Sequence, residues 1–471
     1  GSDRRGLLAG GWGRRDPTET MTTLTTSHTS AGTVGQELLD KVAEADLDPS
    51  LRLALNAVTR SGIDESALDR AKIVGTPKVV SNRLDNWAVT AQMHSGRCWL
   101  FSSLNLLRAT ARKNLGVKDF EFSQNYAMFW DKFERANFFL NDIVATASES
   151  LDSRLVQFML REVEGDGGQW DMAVSIYQKH GVIPKQAMPE TQPSSNTHRM
   201  DTQLQTLLRR SALNLRELAS SGAGPEDLDA AREGVLADVW RILVISLGNP
   251  PSTFEFGWQD DDGQYHTDGT LTPAEFYQRH VGIDLSEYVC LVDDPRSEHP
   301  KGRALTVEHL GNVVGGRDIR YINAPMDVIK KLAADTIVAG DPVWFGADVS
   351  QQSDRTSGLL VGDLHDYSGL FGVDLSTTKE ERVVSGESAM NHAMLFTGVD
   401  IADGLPRRWR VENSWGDQPG DKGYFTMDDS WFSNYVFEVV VRIDSLPEDL
   451  KAAVTEEPLA LPAWDPMGTL A

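Results

Sequence analysis

Apolar residues in the first half of the chain recur at the three- and four-residue spacing of amphipathic helices. The segments with this spacing are Gln36–Val42, Ser50–Val58, Arg97–Leu115 and Asp201–Leu247. Gly116 follows the third segment and suits the end of a helix. The fourth segment is interrupted by Gly-Ala-Gly-Pro, whose proline fits the first turn of a new helix. We therefore predict a helical hairpin there.

The pattern changes in the last third of the chain. Short β-branched or aromatic segments, separated by Gly, Pro and Asp turns, predict strands there. These segments are Asn391–Val399, Arg408–Glu412, Gly423–Met427 and Val436–Val441. A helical front and a β-rich back indicate an α+β protein with two lobes and a cleft between them.

The two ends of the chain differ from the rest. Residues 1–30 begin with Gly-Ser and are rich in Gly, Thr and Ser, which is typical of a tag, with Met21 as a natural start. Leu7–Ala9 is too short for the apolar part of a signal peptide. No apolar run approaches the roughly 18 residues of a membrane span, so we expect a soluble, cytoplasmic protein without a membrane partner. Residues 456–471 contain three prolines and Trp464, and we predict an extended arm.

Charge and cysteine content narrow the class of protein. The net charge of -24, from 69 acidic and 45 basic residues, disfavours nucleic acid as a partner. The two cysteines, Cys98 and Cys290, do not form a disulfide framework and fit a reducing compartment. No Cys-x-x-Cys or His-Glu-x-x-His pattern is present, so we predict neither a metal nor a cofactor.

The string QMHSGRCW at 92–99 carries the main chemical signal. Cys98 falls in the first turn of a predicted helix, where free N–H groups and the helix dipole favour the nucleophilic thiolate. The side-chain amide of Gln92 could fold back beside the Cys98 N–H and form an oxyanion hole. A lone cysteine before a helix is more often a small buried apolar residue. Cys290, in an apolar strand-like segment, is interpreted in that way.

Two further strings lie near the C-terminus, NHAML at 391–395 and ENSWG at 412–416. His392 is the candidate general base, the Asn413 amide would orient its ring, and Trp415 would shield their hydrogen bond from water. A single histidine in a strand is more often a structural core residue. Cys, His and Asn in this order, each in its own specific string, indicate a cysteine nucleophile with a histidine base.

These strings resemble those of the papain-like cysteine peptidases, and most closely the branch of bleomycin hydrolase and aminopeptidase C. The resembling strings are SGRCW at 95–99, FSQNY at 122–126, FWDK at 129–132, GGQWDM at 167–172, VWFG at 343–346, NHAM at 391–394, RVENSWG at 410–416 and PAWDPMG at 462–468. The resemblance covers residues 51–471. It implies a cysteine aminopeptidase that uses Gln92, Cys98, His392 and Asn413 and forms a thioester on Cys98.

The resemblance also implies a domain organisation. A papain-like catalytic domain, with a helical lobe and an antiparallel β-barrel-like lobe, would occupy residues 31–455, with a helical insertion near 190–250. The arm of residues 456–471 would enter the active-site cleft and block it beyond one residue. The carboxylate of Ala471 would then meet the free α-amine of a peptide substrate, and Gly167 and Gly168 would let the substrate backbone approach. A homohexamer with its active sites facing an inner cavity is implied as well.

Other functions are compatible with the same residues. With a mobile arm, the triad would serve an endopeptidase or a deamidating hydrolase. Hydrolysis of bleomycin-like amides is left open by the sequence. A non-catalytic oligomeric binding protein could also retain this fold, although loss of the Cys, His or Asn would have favoured that interpretation.

Overall fold

The computed structural model describes residues 32–43 and 48–471. The segment predicted to be tag-like, residues 1–30, lies outside the described residues. The chain divides into two compact units, one ending at Ser61 and the other running from Gly62 to Ala471. The first unit contains helices α1 (Gln36–Ala43) and α2 (Pro49–Ser61), which confirms the two helices predicted there.

The second unit combines helices and strands, as the sequence predicted. Its helices are α3 (Ile63–Ala67), α4 (Arg70–Gly75), α5 (Cys98–Leu115), α6 (Gln124–Ala145), α7 (Arg154–Arg161), α8 (Trp170–His180), α9 (Gln192–Ser195), α10 (His198–Ser220), α11 (Pro225–Leu247), α12 (Pro273–His280), α13 (Met326–Val338), α14 (Tyr367–Phe371), α15 (Lys379–Ser385), α16 (Asp429–Tyr435) and α17 (Glu448–Lys451). Gly116 ends α5 in the left-handed conformation, with φ 67°. Pro225 occupies the first turn of α11, so α10 and α11 confirm the predicted hairpin.

The strands of the second unit are β1 (Asn82–Arg83), β2 (Phe254–Gln259), β3 (Tyr265–Leu271), β4 (Tyr288–Val292), β5 (Ala304–Val307), β6 (Tyr321–Asn323), β7 (Val343–Ala347), β8 (Ser353–Asp354), β9 (Leu359–Leu360), β10 (His392–Ala402), β11 (Leu405–Glu412), β12 (Tyr424–Asp428), β13 (Val436–Arg442) and β14 (Leu459–Leu461). The four strands predicted in the last third are confirmed as β10 to β13. Strands also occur between residues 254 and 360, where most are too short to show a periodic pattern.

Twelve of these strands form one sheet, and β2 and β3 form a separate hairpin. The order in the large sheet is β14-β5-β6-β4-β13-β7-β10-β11-β12-β9-β8, and β1 pairs with β10. Strand β10 lies between β7 and β11, antiparallel to both. None of the helices within the described ranges is long and apolar enough to cross a bilayer.

The second unit has two large apolar cores, and β10 contributes side chains to both of them. Ala393 and Leu395 belong to a core built largely from the helices, whereas Met394 and Phe396 belong to a core built largely from the sheet. Alternate side chains of a strand point to opposite faces, so a strand covered on both sides is apolar throughout. His392 is the first residue of this central strand.

Candidate active site

Cys98 begins α5, and its sulfur lies against the start of β10. The preceding residue, Arg97, is buried and forms a bidentate ion pair with Glu190, with both N···O distances 3.0 Å. This pair holds the turn before the helix. The Ala393 N–H donates to the buried Cys98 sulfur at 3.4 Å. The fold thus brings together two residues that are 295 positions apart in the sequence.

Burial governs the ionisation of the Cys98 thiol. It raises the pKa of the thiol to about 12, while the N–H groups of Ala393 and Trp99 act in the opposite direction. The start of the helix favours the thiolate, as expected, but the loss of hydration outweighs it. Burial and the start of the helix therefore act in opposite directions on this pKa, and the activated thiolate stays a prediction.

His392 and Asn413 form the second part of the candidate site. His392 Nε2 lies 2.9 Å from Asn413 Oδ1, which also accepts from the Ser414 N–H at 2.8 Å. Because an amide oxygen only accepts, Nε2 carries a proton and Nδ1 is the basic nitrogen of the neutral ring. Trp415 stacks on this ring with the centroids 4.8 Å apart. Burial lowers the pKa of His392 to about 4, with the Asn413 hydrogen bond opposing the shift, so the ring is neutral at pH 7.

Gln92 lies beside the segment that carries Asn413. Its Oε1 accepts from the Ser414 hydroxyl at 2.6 Å, and its backbone N–H donates to the Ser414 carbonyl at 2.8 Å. Its Nε2 donates to the Ser95 carbonyl at 2.6 Å. The amide carries a second N–H, so these contacts orient the side chain and leave one donor for another acceptor. The role of Gln92 in an oxyanion hole stays a prediction.

The C-terminal residue is paired with the predicted glycine pair. The Gly168 N–H donates to Ala471 O at 3.1 Å, and the Ala471 N–H donates to Gly168 O at 3.2 Å. A Cβ on Gly167 would lie 2.8 Å from both Ala471 O and Leu470 Cβ, whereas a Cβ on Gly168 would lie 2.5 Å from the Trp99 ring. The two glycines therefore have different functions, since Gly167 leaves room for the chain terminus and Gly168 leaves room for Trp99.

The arm that ends at Ala471 is held along its length. Strand β14 runs parallel to β5, and the Asp465 carboxylate forms two bonds, of 2.8 and 2.9 Å, with the buried Arg296. The Tyr321 hydroxyl donates to the Met467 carbonyl at 3.0 Å. Gln169 Nε2 donates to the Thr469 carbonyl at 2.6 Å. The arm is extended at Leu459–Leu461 and then forms two turns, at residues 462–465 and at Pro466–Gly468, so the predicted extended conformation is confirmed for its first part only.

A buried charged cluster connects the loop before Cys98 to the glycine pair, and sequence reasoning missed it. Asp166 accepts from the Gly96 N–H at 2.9 Å, and its carbonyl accepts from Trp99 Nε1 at 2.6 Å. The fully buried Lys132 lies 2.8 Å from the Asp166 carboxylate and 2.7 Å from that of Asp201. Burial raises the pKa of Asp166, but Lys132 outweighs burial and the pKa is lowered overall. A charged lysine in the FWDK string signals buried acidic partners, but the spacing does not identify them.

A second buried cluster connects α5 to the end of β11, next to Asn413. The Glu412 carboxylate accepts from Asn105 at 3.0 Å and from Arg108 at 2.7 Å, and also from the Trp87 indole. Both Asn105 and Arg108 belong to α5, the helix that begins at Cys98. The two catalytic candidates Cys98 and Asn413 are therefore held at a fixed separation by a charged contact.

A cavity of about 550 Å³ opens beside the arm. It is lined in part by Met390 and Asn391, which precede His392, and by Leu470 of the arm. Phe138 and Phe158 contribute aromatic walls. This space can accept an apolar side chain next to the candidate catalytic residues.

No group of three or more His, Cys, Asp or Glu side chains within residues 32–43 and 48–471 is arranged to hold a metal ion. Cys290 is buried in β4 and lies 3.8 Å from Glu438, as expected of a core residue. Burial raises the pKa of its thiol well above the ordinary value. Cys98 differs from Cys290 in lying next to a histidine-bearing strand terminus.

Comparisons with known proteins agree with these observations. A model of the Peptidase C1-like family matches residues 34–468. Aminopeptidase C of Lactobacillus helveticus is 42% identical over 91% of this chain and 96% of its own length. The bleomycin hydrolase of Homo sapiens is 43% identical over 94% of this chain and 99% of its own length. The crystal structure of PepW from Lactobacillus rhamnosis superposes with a TM-score of 0.92 at 42% identity, over 94% of this chain and all of that one.

Proposed function

The chain belongs to the Peptidase C1-like family, and we propose that it is a cysteine aminopeptidase that removes residues singly from the free N-termini of peptides. The observation that carries this proposal is the pairing of the C-terminal Ala471 with Gly168. Gly168 packs on Trp99, the residue after Cys98. This pairing supports an arm that would limit the length of substrate on one side of the nucleophile.

In the proposed mechanism the Cys98 sulfur attacks the carbonyl carbon of the first peptide bond. The thiol proton passes to Nδ1 of His392, because burial disfavours its loss to solvent. The negative oxygen of the tetrahedral intermediate would be bound by the Cys98 N–H and the Gln92 amide. Collapse of the intermediate breaks the C–N bond, the leaving amine takes the proton from His392, and a thioester remains on Cys98. Water, deprotonated by His392, then hydrolyses the thioester and restores the thiol.

Selection of free N-termini would come from the carboxylate of Ala471. An ammonium group pairs well with a carboxylate in a partly desolvated cleft. Ala471 is buried, and both of its backbone hydrogen bonds go to Gly168. A peptide that extended further past this point would have to displace the arm. An N-acetylated peptide would lose the ion pair and also place a bulky group against the arm.

The similarity to bleomycin hydrolase supports a second substrate class, bleomycin-like amides. The alternative activity, an endopeptidase or other amide hydrolase, requires the arm to leave the cleft. The contacts of Asp465, Met467 and Thr469 argue against that movement. The presence of all three catalytic candidates argues against a non-catalytic binding protein.

The finer organisation is part of the same proposal. The helix-rich and sheet-rich cores support a helical lobe and a β-barrel-like lobe, with residues 190–250 as a helical insertion and 456–471 as an arm of the catalytic domain at 31–455. The resemblance to the bleomycin hydrolase branch supports a homohexamer. Two free thiols support a cytoplasmic location.

The test compares hydrolysis of a fluorogenic aminoacyl amide with that of its N-acetylated twin in reducing buffer. We expect cleavage of the free-amine substrate only, with kcat/KM lowered by on the order of 10⁴ or more in Cys98→Ala. Asn413→Ala leaves the base present but unoriented, so we expect a smaller loss, roughly 10- to 100-fold.

Cys290→Ala is the matched control, because it removes the other buried thiol, and it should retain activity. Full activity of Cys98→Ala would overturn the assignment. Equal cleavage of both substrates would retain the catalytic triad but exclude an aminopeptidase.

A further inference from the structure

An exposed arginine lies on the tryptophan that covers the candidate base. The guanidinium carbon of Arg355 lies 4.3 Å from the centroid of the Trp415 ring. Trp415 in turn stacks on His392 at 4.8 Å. Within the part of the chain that the structure describes, the Arg355 guanidinium forms no ion pair or side-chain hydrogen bond, and the residue is exposed. An unpaired cation is therefore stacked beside the catalytic candidates.

The charge of Arg355 reaches the catalytic imidazole. Burial is the main cause of the lowered pKa of His392, and the positive charge of Arg355 lowers it further. The guanidinium and the imidazole each contact the indole of Trp415, and the charge on the guanidinium affects the ionisation of the imidazole.

In the proposed reaction, the leaving group lies on the side of the site that is formed by His392 and Trp415. His392 gives its proton to the leaving amine, so the part of the substrate after the broken bond departs beside the imidazole and Trp415. The acyl part, with its ammonium, lies on the other side, towards Gly168 and Ala471. Each residue of an extended peptide spans about 3.3–3.6 Å. A carboxylate one or two residues beyond the broken bond thus comes within reach of a guanidinium stacked on Trp415.

We propose that Arg355 is a specificity-determining residue that binds a carboxylate of the leaving group. The carboxylate is either the C-terminus of a dipeptide or an acidic side chain just after the broken bond. A short substrate would then be recognised at both ends, by Ala471 at its ammonium and by Arg355 at its carboxylate. Stacking on Trp415 restricts the arginine side chain and lowers the entropic cost of binding. This inference rests on the proposed aminopeptidase function.

The test measures kcat/KM for cleavage of the first peptide bond, counted as substrate consumed, in Ala-Ala, in Ala-Ala amide and in Ala-Asp amide. The wild-type protein should favour Ala-Ala over its amide by about fivefold, the contribution of an exposed ion pair. In Arg355→Gln this ratio should fall towards one, and Arg355→Lys should restore part of it. Added salt should also lower the wild-type ratio. A preference for Ala-Asp amide over Ala-Ala amide identifies a side-chain carboxylate as a further ligand.

Arg241→Gln is the control, since Arg241 is an exposed arginine of α11, and its ratio should equal that of the wild type. An unchanged ratio in Arg355→Gln would overturn the inference. An equal fall in kcat/KM for Ala-Ala and for Ala-Ala amide would also overturn it, because Arg355 would then only support Trp415. If the wild type cleaved none of the three free-amine substrates, the proposed function itself would fail, and the two failures are thereby distinguished.

Discussion

The two ends of the candidate site are built in different ways. At the nucleophile end, Cys98, His392 and Asn413 are buried side chains at the start of α5, at the start of β10 and just after β11. At the arm end, a loop and the chain terminus are joined by two backbone hydrogen bonds between Gly168 and Ala471. The chemistry thus depends on the core of the protein. In the proposed function, the choice of substrate depends on the terminal segment instead.

The same contrast holds for charge. Burial favours the neutral forms of both Cys98 and His392, and in the proposed mechanism the thiol proton passes from Cys98 to His392. At the arm end, the proposal instead gives the substrate a charged carboxylate, that of Ala471. Recognition of the ammonium group there would be electrostatic, before any bond is broken.

Alanine substitutions at the adjacent residues Gly167 and Gly168 test this contrast, because each adds a single methyl group. In Gly168→Ala the new Cβ would meet the Trp99 ring at 2.5 Å. Trp99 is fully buried, so we expect the free energy of unfolding to fall by about 1–3 kcal/mol. We also expect a large loss of kcat, because Cys98 would be displaced. In Gly167→Ala the new Cβ meets Leu470 and Ala471 of the arm. We expect near-normal stability and a reduced preference for free-amine substrates.

Thermal denaturation and the ratio of kcat/KM for free and acetylated substrates measure these effects, with each variant serving as the control for the other. The same phenotype in both variants would contradict the separate functions of the two glycines.

A smaller effect concerns the dependence of kcat/KM on pH. The lowered pKa of His392, about 4, means that the base stays neutral until the pH falls well below the ordinary histidine value of about 6.5. Activity should therefore be retained at pH 6 and be lost as the pH approaches 4. On the alkaline side, activity should fall near pH 8, where the substrate ammonium loses its proton.

A pH profile with a free-amine substrate measures both limbs. An acid limb centred at or above pH 6.5 would contradict the effect of burial on His392. An alkaline limb that did not move with the pKa of the substrate amine would contradict recognition of the ammonium.

The catalytic candidates could be predicted from sequence because each lies in a short, specific string. The structure brings Gln92, Cys98, His392 and Asn413 into one region through the pairing of Ala393 with Cys98 and of Ser414 with Gln92. Their roles stay predictions until activity is measured. Fold class and the main helices followed from apolar spacing.

The supporting contacts could not be predicted in this way. Arg108 and Glu412 are 304 positions apart, and no local pattern specifies which buried carboxylate a given buried cation will meet. The strands between residues 254 and 360 were largely missed because strands such as β8 and β9 contain two residues each. The predicted domain boundaries at residues 30 and 455 also stay predictions.

The most direct test of the central claim is a variant that ends at Gly468 and lacks Thr469 to Ala471. It retains the Asp465 and Met467 contacts that hold the arm, but loses the groups paired with Gln169 and Gly168. The measurement is the ratio of kcat/KM for a free-amine substrate to that for its N-acetylated twin, in this variant and in the full chain. We predict that the ratio falls at least tenfold, because the acetylated substrate becomes cleavable and the ammonium loses its partner. An unchanged preference for the free amine would contradict selection by the C-terminal carboxylate.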